Sequence, residues 1–248
     1  MSSVLADPVG TVIVTRITTY LLLFVASLSL SYYTLQNATR RTLNSQMWDY
    51  VMLAGIAGAL YAITASAETI AASEAFAANA TFIGGIRRLC QLFVIVFLAL
   101  AMRELYYESP DHTDELIEQL PIENIRYIEA VFLIVVFLQF LVIVVVGFVD
   151  IARIVQLAAS VAFMIYGISY ATKIKGAAMA SRTVLGTMLS YIIAILLSAG
   201  AASAVEVGVV VGIQPAVVEG IGIVLTMMSI TFILVLTTRL KQNIADIS

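Results

Sequence analysis

Long apolar runs, each near the length of a membrane span, alternate along the chain with short stretches that hold most of its charge. A helix rises about 1.5 Å per residue, so crossing a hydrocarbon core of about 30 Å takes about 20 apolar residues. Seven stretches meet that length: 12–35, 50–72, 84–106, 125–149, 151–172, 183–204 and 216–238. The pattern predicts an all-α polytopic membrane protein, a single domain over 1–248 built as a bundle of seven transmembrane helices. The first run has no basic segment before it and is followed by Arg40 and Arg41, so it reads as a span rather than a cleaved signal.

Basic residues near the ends of the runs set the orientation. Arg40, Arg41, Arg103, Arg126, Lys173, Lys175, Arg182, Arg239 and Lys241 share one side if the N-terminus is outside and the C-terminus cytoplasmic. That topology predicts a multi-pass protein of the plasma membrane. The longest connection, 108–124, is then cytoplasmic and acidic. Within it Ser109 and Pro110 open a short helix that Pro121 ends, and Leu116, Ile117 and Leu120 give it an apolar stripe for the membrane surface. The outer connection 205–215, rich in Val and Gly, either prolongs the sixth helix or forms a small extended hairpin.

Small residues four apart let helix backbones approach closely. Ala54, Gly58, Ala62 and Ser66 form one such stripe, and Gly186, Ser190, Ala194, Ser198 and Ala202 a second, so both are expected to be packing seams. From Val131 to Val146 only Gln139 is polar, which predicts a peripheral fourth helix, greased by lipid or laid against another protein.

Composition narrows the chemistry. Charged residues make up 12% of the chain, against about a quarter in soluble domains, and hydrophobic residues 61%. Sixteen acidic residues against 13 basic ones argue against nucleic acid as a partner. A single histidine, His112, excludes zinc or haem sites that need several imidazoles, and a single cysteine, Cys90, excludes an intrachain disulfide. There is no Gly-rich phosphate loop and no nucleophile elbow. The expectation is a protein that is not an enzyme and carries no cofactor and no metal. His112 sits among Asp111, Asp114, Glu115 and Glu118 in a solvated turn, and Cys90 reads as a small core residue. Asn79-Ala80-Thr81 is a glycosylation sequon on the outer side, whereas Asn37-Ala38-Thr39 falls on the cytoplasmic side. Ten arginines to three lysines, with a pI near 5.1, fit a salt-loving archaeon.

Ionisable residues inside apolar runs are costly and mark sites by default. Arg16, Glu68, Arg87 and Arg88 cluster toward the outer ends of the first three helices, Asp150 and Arg153 lie at the turn into the fifth, and Glu206 and Glu219 flank the last outer connection, with Glu74 nearby. Gln91, one turn below Arg87, extends the polar path inward. Two readings stand. One is an outward-facing cavity for a small ion or polar solute, with Arg16, Glu68, Arg87, Arg88, Gln91 and Glu219 as the ligand-binding residues. The other is an ion-pair network that fixes helix ends at headgroup level. Arg87 and Arg88 are about 100° apart on a helix, so one is expected to face the bundle and the other the headgroups. On the cytoplasmic side Glu129 pairs with Arg126, and Asp49 anchors an interface between Trp48 and Tyr50.

Helix number, size and orientation resemble the microbial rhodopsins, and 224–241 matches their last helix without a gap. In that match Ile230 stands where the family carries its retinal-binding lysine, and the stretch from Arg87 to Gln91 lacks the counter-ion carboxylate. Lys173, Lys175 and Lys241 all lie at cytoplasmic ends, so the resemblance implies the scaffold without the retinal. The functional expectation is a sensor or scaffold subunit acting through a protein partner or a second copy in the lipid bilayer; the alternative is a transporter or channel.

Overall fold

A computed structural model describes residues 8–40, 46–71, 77–107, 122–143, 149–181 and 184–247. Among them are seven α-helices and no strand: α1 (Pro8–Arg40), α2 (Gln46–Ala71), α3 (Ala77–Tyr107), α4 (Ile122–Leu141), α5 (Val149–Ser181), α6 (Val184–Glu206) and α7 (Pro215–Ile247). Helices α1, α5 and α7 each have 33 residues, about 50 Å, so they outrun the hydrocarbon core. For that reason these three helices run on past the apolar stretches that mark them in the sequence.

Six of the seven are long and apolar enough to cross a membrane. The seventh, α4, offers a shorter apolar run, Ala130–Leu141, because Glu123, Arg126 and Glu129 occupy its first half. The expected extension of that span to Val149 runs through 144–148, outside the described residues, as do the proposed surface helix of 108–121, His112 and Glu74. The side chains of Arg126 and Glu129 lie outside them as well.

Helix α1 packs against α2 and α7, α2 against α3, α3 against α5 and α6, and α6 against α5 and α7, which closes a ring with α3 the most buried member. Helix α4 lies outside the ring, in the groove between α3 and α5. Phe132 fixes it there, with its ring 4.9 Å from Phe163 and 6.4 Å from Phe93, and Ile143 packs over Gly85. Leu133, Ile134, Phe137 and Leu138 face outward. The fourth helix is therefore peripheral as expected, and its one mid-helix polar residue, Gln139, turns inward and is fully buried.

The starts of α1, α3, α5 and α7 meet the ends of α2 and α6 at one end of the ring, called here the charged end. At the far end the last turns of α1 and α7 meet through Asn37, which donates to Leu240 O at 3.2 Å and accepts from Asn243 Nδ2 at 2.9 Å. Tyr106 and Tyr107 of α3 meet Tyr170 of α5 there. Since α3 finishes at the far end and α5 starts at the charged end, the chain between them must travel the full height of the bundle, and α4 is the element that does so.

Packing seams follow the small residues in part. Ala54, Gly58 and Ala62 are buried, and α1 closes on α2 where Ser31 Oγ donates to Met52 O at 3.1 Å. On α6, Ser198 and Ala202 are buried and Ser198 Oγ lies 2.7 Å from Ser229 Oγ on α7. The lower half of that stripe departs from expectation. Ser190 is exposed, and bulky Leu189, Ile192 and Leu196 turn inward instead. Of the two forms open to 205–215, the first is observed. Helix α6 runs to Glu206, a 3-10 turn covers Val207–Val209, and Gly212, at φ +89°, reverses the chain where a Cβ would be strained. Gln214 O then accepts from Val217 and Val218 N–H, with Pro215 at the first helical position.

The sequon Asn37 is buried in α1, and Asn79 lies in the first turns of α3 rather than in a loop. Replacing Asn37 with Ala removes its bond to Leu240 O and strands Asn243 Nδ2. Asn37→Ala is expected to lower unfolding stability in detergent by about 1–2 kcal/mol. A midpoint equal to wild type in chemical denaturation would show that the α1–α7 contact does not hold this end.

Candidate functional site

The charged end contains a cavity of about 340 Å³. Arg16, Glu68, Arg87, Arg88 and Glu219, five of the six residues singled out from sequence, all line it, together with Arg153 and Glu206. Gln91 does not. It lies beneath, donating to Ala199 O at 3.3 Å and accepting from Gln156 Nε2 at 3.1 Å.

Glu206, on the last turn of α6, is the hub. Its Oε1 is 2.7 Å from Arg87 Nη1, and its Oε2 is 3.1 Å from Arg88 Nε. Arg87 turns its Nε to Glu68 Oε2 at 2.5 Å, so three helices, α2, α3 and α6, meet through two cations and two acids. The expected division, one arginine to the bundle and one to the headgroups, is overturned: Arg88 is 5% exposed, and both reach the same carboxylate. The 100° between their Cα–Cβ directions is bridged by length. Two long guanidinium stems converge because Glu206 presents one oxygen to each. At the rim Arg16 pairs with Glu219, linking α1 to α7, and Arg153 pairs with Asp150 at 2.9 Å along α5.

Tyr61 forms the floor. Its hydroxyl accepts from Arg87 Nη1 at 3.4 Å, the Arg87 guanidinium carbon stands 5.8 Å from its ring centre, and Tyr20 meets it edge-on at 6.2 Å. Stacking over an aromatic face holds a guanidinium that is already paired twice. Sequence reasoning missed Tyr61 and Tyr20, and left Glu206 and Arg153 out of the binding set. For Glu206 the cause is plain: the sixth apolar run stops at 204, so its carboxylate read as loop, whereas the helix continues two residues further.

A second polar track leaves the cavity's underside. From Gln91 it passes to Gln156, whose Oε1 has no partner among the described residues, nor do both amide atoms of Gln139 and Ser160 Oγ. Because Phe132 faces Phe163 on antiparallel helices, two turns upward bring Gln139 level with Gln156. Below Ser160 the track meets phenyl groups: Phe93, Phe132 and Phe163 stack edge-on.

Elsewhere the chemistry is sparse. Among the described residues no group of three or more His, Cys, Asp or Glu is placed to hold a metal, and Cys90 is buried in the core. Ile230 is buried on α7, whereas Lys241 and Lys173 are exposed at the far end, the latter over the rings of Tyr106 and Tyr170. Compared with known proteins, the chain matches no family model, no curated protein and no solved structure. The seven-helix all-α architecture is that of a helical membrane protein in general, and no match connects it to the microbial rhodopsins.

Glu206→Gln leaves two buried guanidinium groups short of a counter-charge and is expected to cost about 3 kcal/mol. Glu68→Gln costs less, since Arg87 keeps Glu206, and Glu219→Gln, half exposed at the rim, costs under about 1 kcal/mol. Thermal unfolding of the three variants in one detergent checks the order. A Glu206→Gln midpoint at or above that of Glu219→Gln would contradict the hub.

Proposed function

We propose that this chain is a non-catalytic seven-helix receptor of the plasma membrane, which takes a small polar or ionic solute into the cavity from outside. The response passes to a protein partner or a second copy at the cytoplasmic end. The observation that carries this is the 340 Å³ cavity, walled by four arginines and three glutamates and floored by Tyr61. A network serving only to fasten helix ends needs no such space.

Orientation rests on the positive-inside bias. The ends of α1, α3, α5 and α7, and the start of α6, carry the basic residues of the connections, so the far end is cytoplasmic and the charged end outside. Seven crossings follow if α4, which travels the height of the bundle, does so in lipid; its outward Leu133, Ile134, Phe137 and Leu138 support that. Below a small hollow of about 50 Å³ under Tyr61, Ile192 and Leu236 are all but fully buried, which favours a receptor over an open channel.

A transporter is the second reading, favoured by the Gln139 amide, Gln156 Oε1 and Ser160 Oγ, which have no partner among the described residues. These groups would form part of a path only if the Phe93, Phe132 and Phe163 cluster opened.

A ligand that binds only the folded form at a hundred times its Kd adds about 2.7 kcal/mol of stability. Purified protein is therefore to be melted with separate panels of small carboxylates, amino acids, inorganic phosphate and alkylammonium salts. At least one panel is expected to raise the melting temperature in a saturable way, and Arg88→Gln to abolish the rise. Identical midpoints with every panel would overturn the receptor, and saturable solute uptake into proteoliposomes would establish the transporter instead.

A further inference from the structure

Beneath the charged chamber, across the layer of Tyr61, Ala202 and Thr226, the bundle axis holds a second, smaller hollow of about 50 Å³. Five helices wall it: α1 with Leu23, α2 with Gly58, α3 with Leu98, α6 with Ile195 and α7 with Ile233. No charged residue lines it, and most of its wall is aliphatic.

The few polar side chains in that wall are accounted for, with one exception. Thr226 Oγ1 donates to Gly222 O at 2.8 Å, Ser229 Oγ lies 2.7 Å from Ser198 Oγ, Gln91 donates to Ala199 O, and Tyr61 accepts from Arg87. The exception is Ser27. A hydroxyl inside a helix ordinarily donates to the carbonyl one turn back, as Thr15, Thr19 and Ser31 of α1 do. Ser27 does not. It is 1% exposed, and its Oγ has no partner among the described residues. It turns instead to the bare face of Gly58, where an added Cβ would come within 2.7 Å of it.

A hydroxyl buried without a partner costs stability, which points to an occupant that supplies one. Water fits poorly, since it needs about two to four polar partners and meets a single open one here. A molecule with one polar atom and an apolar body satisfies both the hydroxyl and the wall. We infer that the hollow is a binding site for a small neutral alcohol, its oxygen on Ser27 Oγ and its alkyl body against Leu23, Leu98 and Ile195. An apolar cavity of about 150 Å³ takes benzene, so one of about 50 Å³ takes an alcohol of about two or three carbons.

Xenon enters apolar cavities without a hydrogen bond, so it reports the hollow itself. In xenon NMR of the full-length protein in detergent, wild type is expected to show a saturable signal beyond that of the detergent. Ala199→Leu, which fills the hollow, loses it, and Ala54→Val on α2 is the second filling variant. Methanol, ethanol, n-propanol, n-butanol and n-hexanol are then titrated against the xenon. Displacement is expected to tighten about fourfold per methylene to n-propanol and to fall away by n-hexanol. Partition into detergent has no such cut-off. Ser27→Ala should keep the xenon signal and weaken n-propanol about fivefold. No wild-type signal beyond the detergent, or an equal one in both filled variants, overturns the site. Displacement that strengthens undiminished to n-hexanol, or that is the same in Ser27→Ala, overturns the alcohol. None of these results touches the receptor reading, which rests on the charged chamber alone.

Discussion

One carboxylate at the end of a helix sets the terms for the charged end. Glu206 receives Arg87 on one oxygen and Arg88 on the other, and Arg87 passes the connection on to Glu68. A guanidinium brought into a bundle cannot shed its charge, so it must meet acid, water or headgroup phosphate. Snorkelling outward would let the helices close over the space behind them. Turning inward to a shared acid holds α2, α3 and α6 apart at side-chain length, and the cavity is the consequence. Arg16–Glu219 does for α1 and α7 at the rim what the buried set does further in, with more solvent and less energy.

The rest of the bundle obeys a different constraint. Lipid gives apolar side chains no reason to hide, and Leu21, Val25, Phe137, Ile165 and Val224 all face out. Cohesion comes from close backbone approach at Ala54, Gly58 and Ala62, and from a few directional bonds such as Ser198 to Ser229 and Asn37 to Asn243. Helix α4 is held to α3 and α5 by aromatic contact at Phe132 and by Ile143 packed over Gly85.

Seven helices could be read from the chain because an apolar run of about 20 residues is seldom found outside a bilayer. Their ends could not, since a helix continues past the point where its side chains stop being apolar: α5 runs to Ser181 although its apolar run stops at 172. Glu206 read as loop for that reason. The cluster of Arg16, Glu68, Arg87, Arg88 and Glu219 was legible as charge in the wrong place, but its volume was not, because a cavity depends on which way long side chains turn. Helical angle alone set Arg87 and Arg88 apart, although both reach one carboxylate. Small-residue spacing located the α2 seam and misjudged Ser190 on α6, where bulky Leu189 and Ile192 claim the interior.

A receptor of this kind requires an open, charged chamber facing the outside of the cell. The direct measurement places a thiol inside it: Thr69→Cys, on the cavity wall and bonded only to its own helix at Ala65 O, in a Cys90→Ala background. Intact cells are treated with a membrane-impermeant maleimide, with and without permeabilisation. Labelling in intact cells, slowed by pretreatment with a solute that raises the melting temperature, is the predicted result. Labelling that requires permeabilisation would put the charged end in the cytoplasm, and no labelling in either case would mean that the chamber is shut; each contradicts the outward-facing receptor.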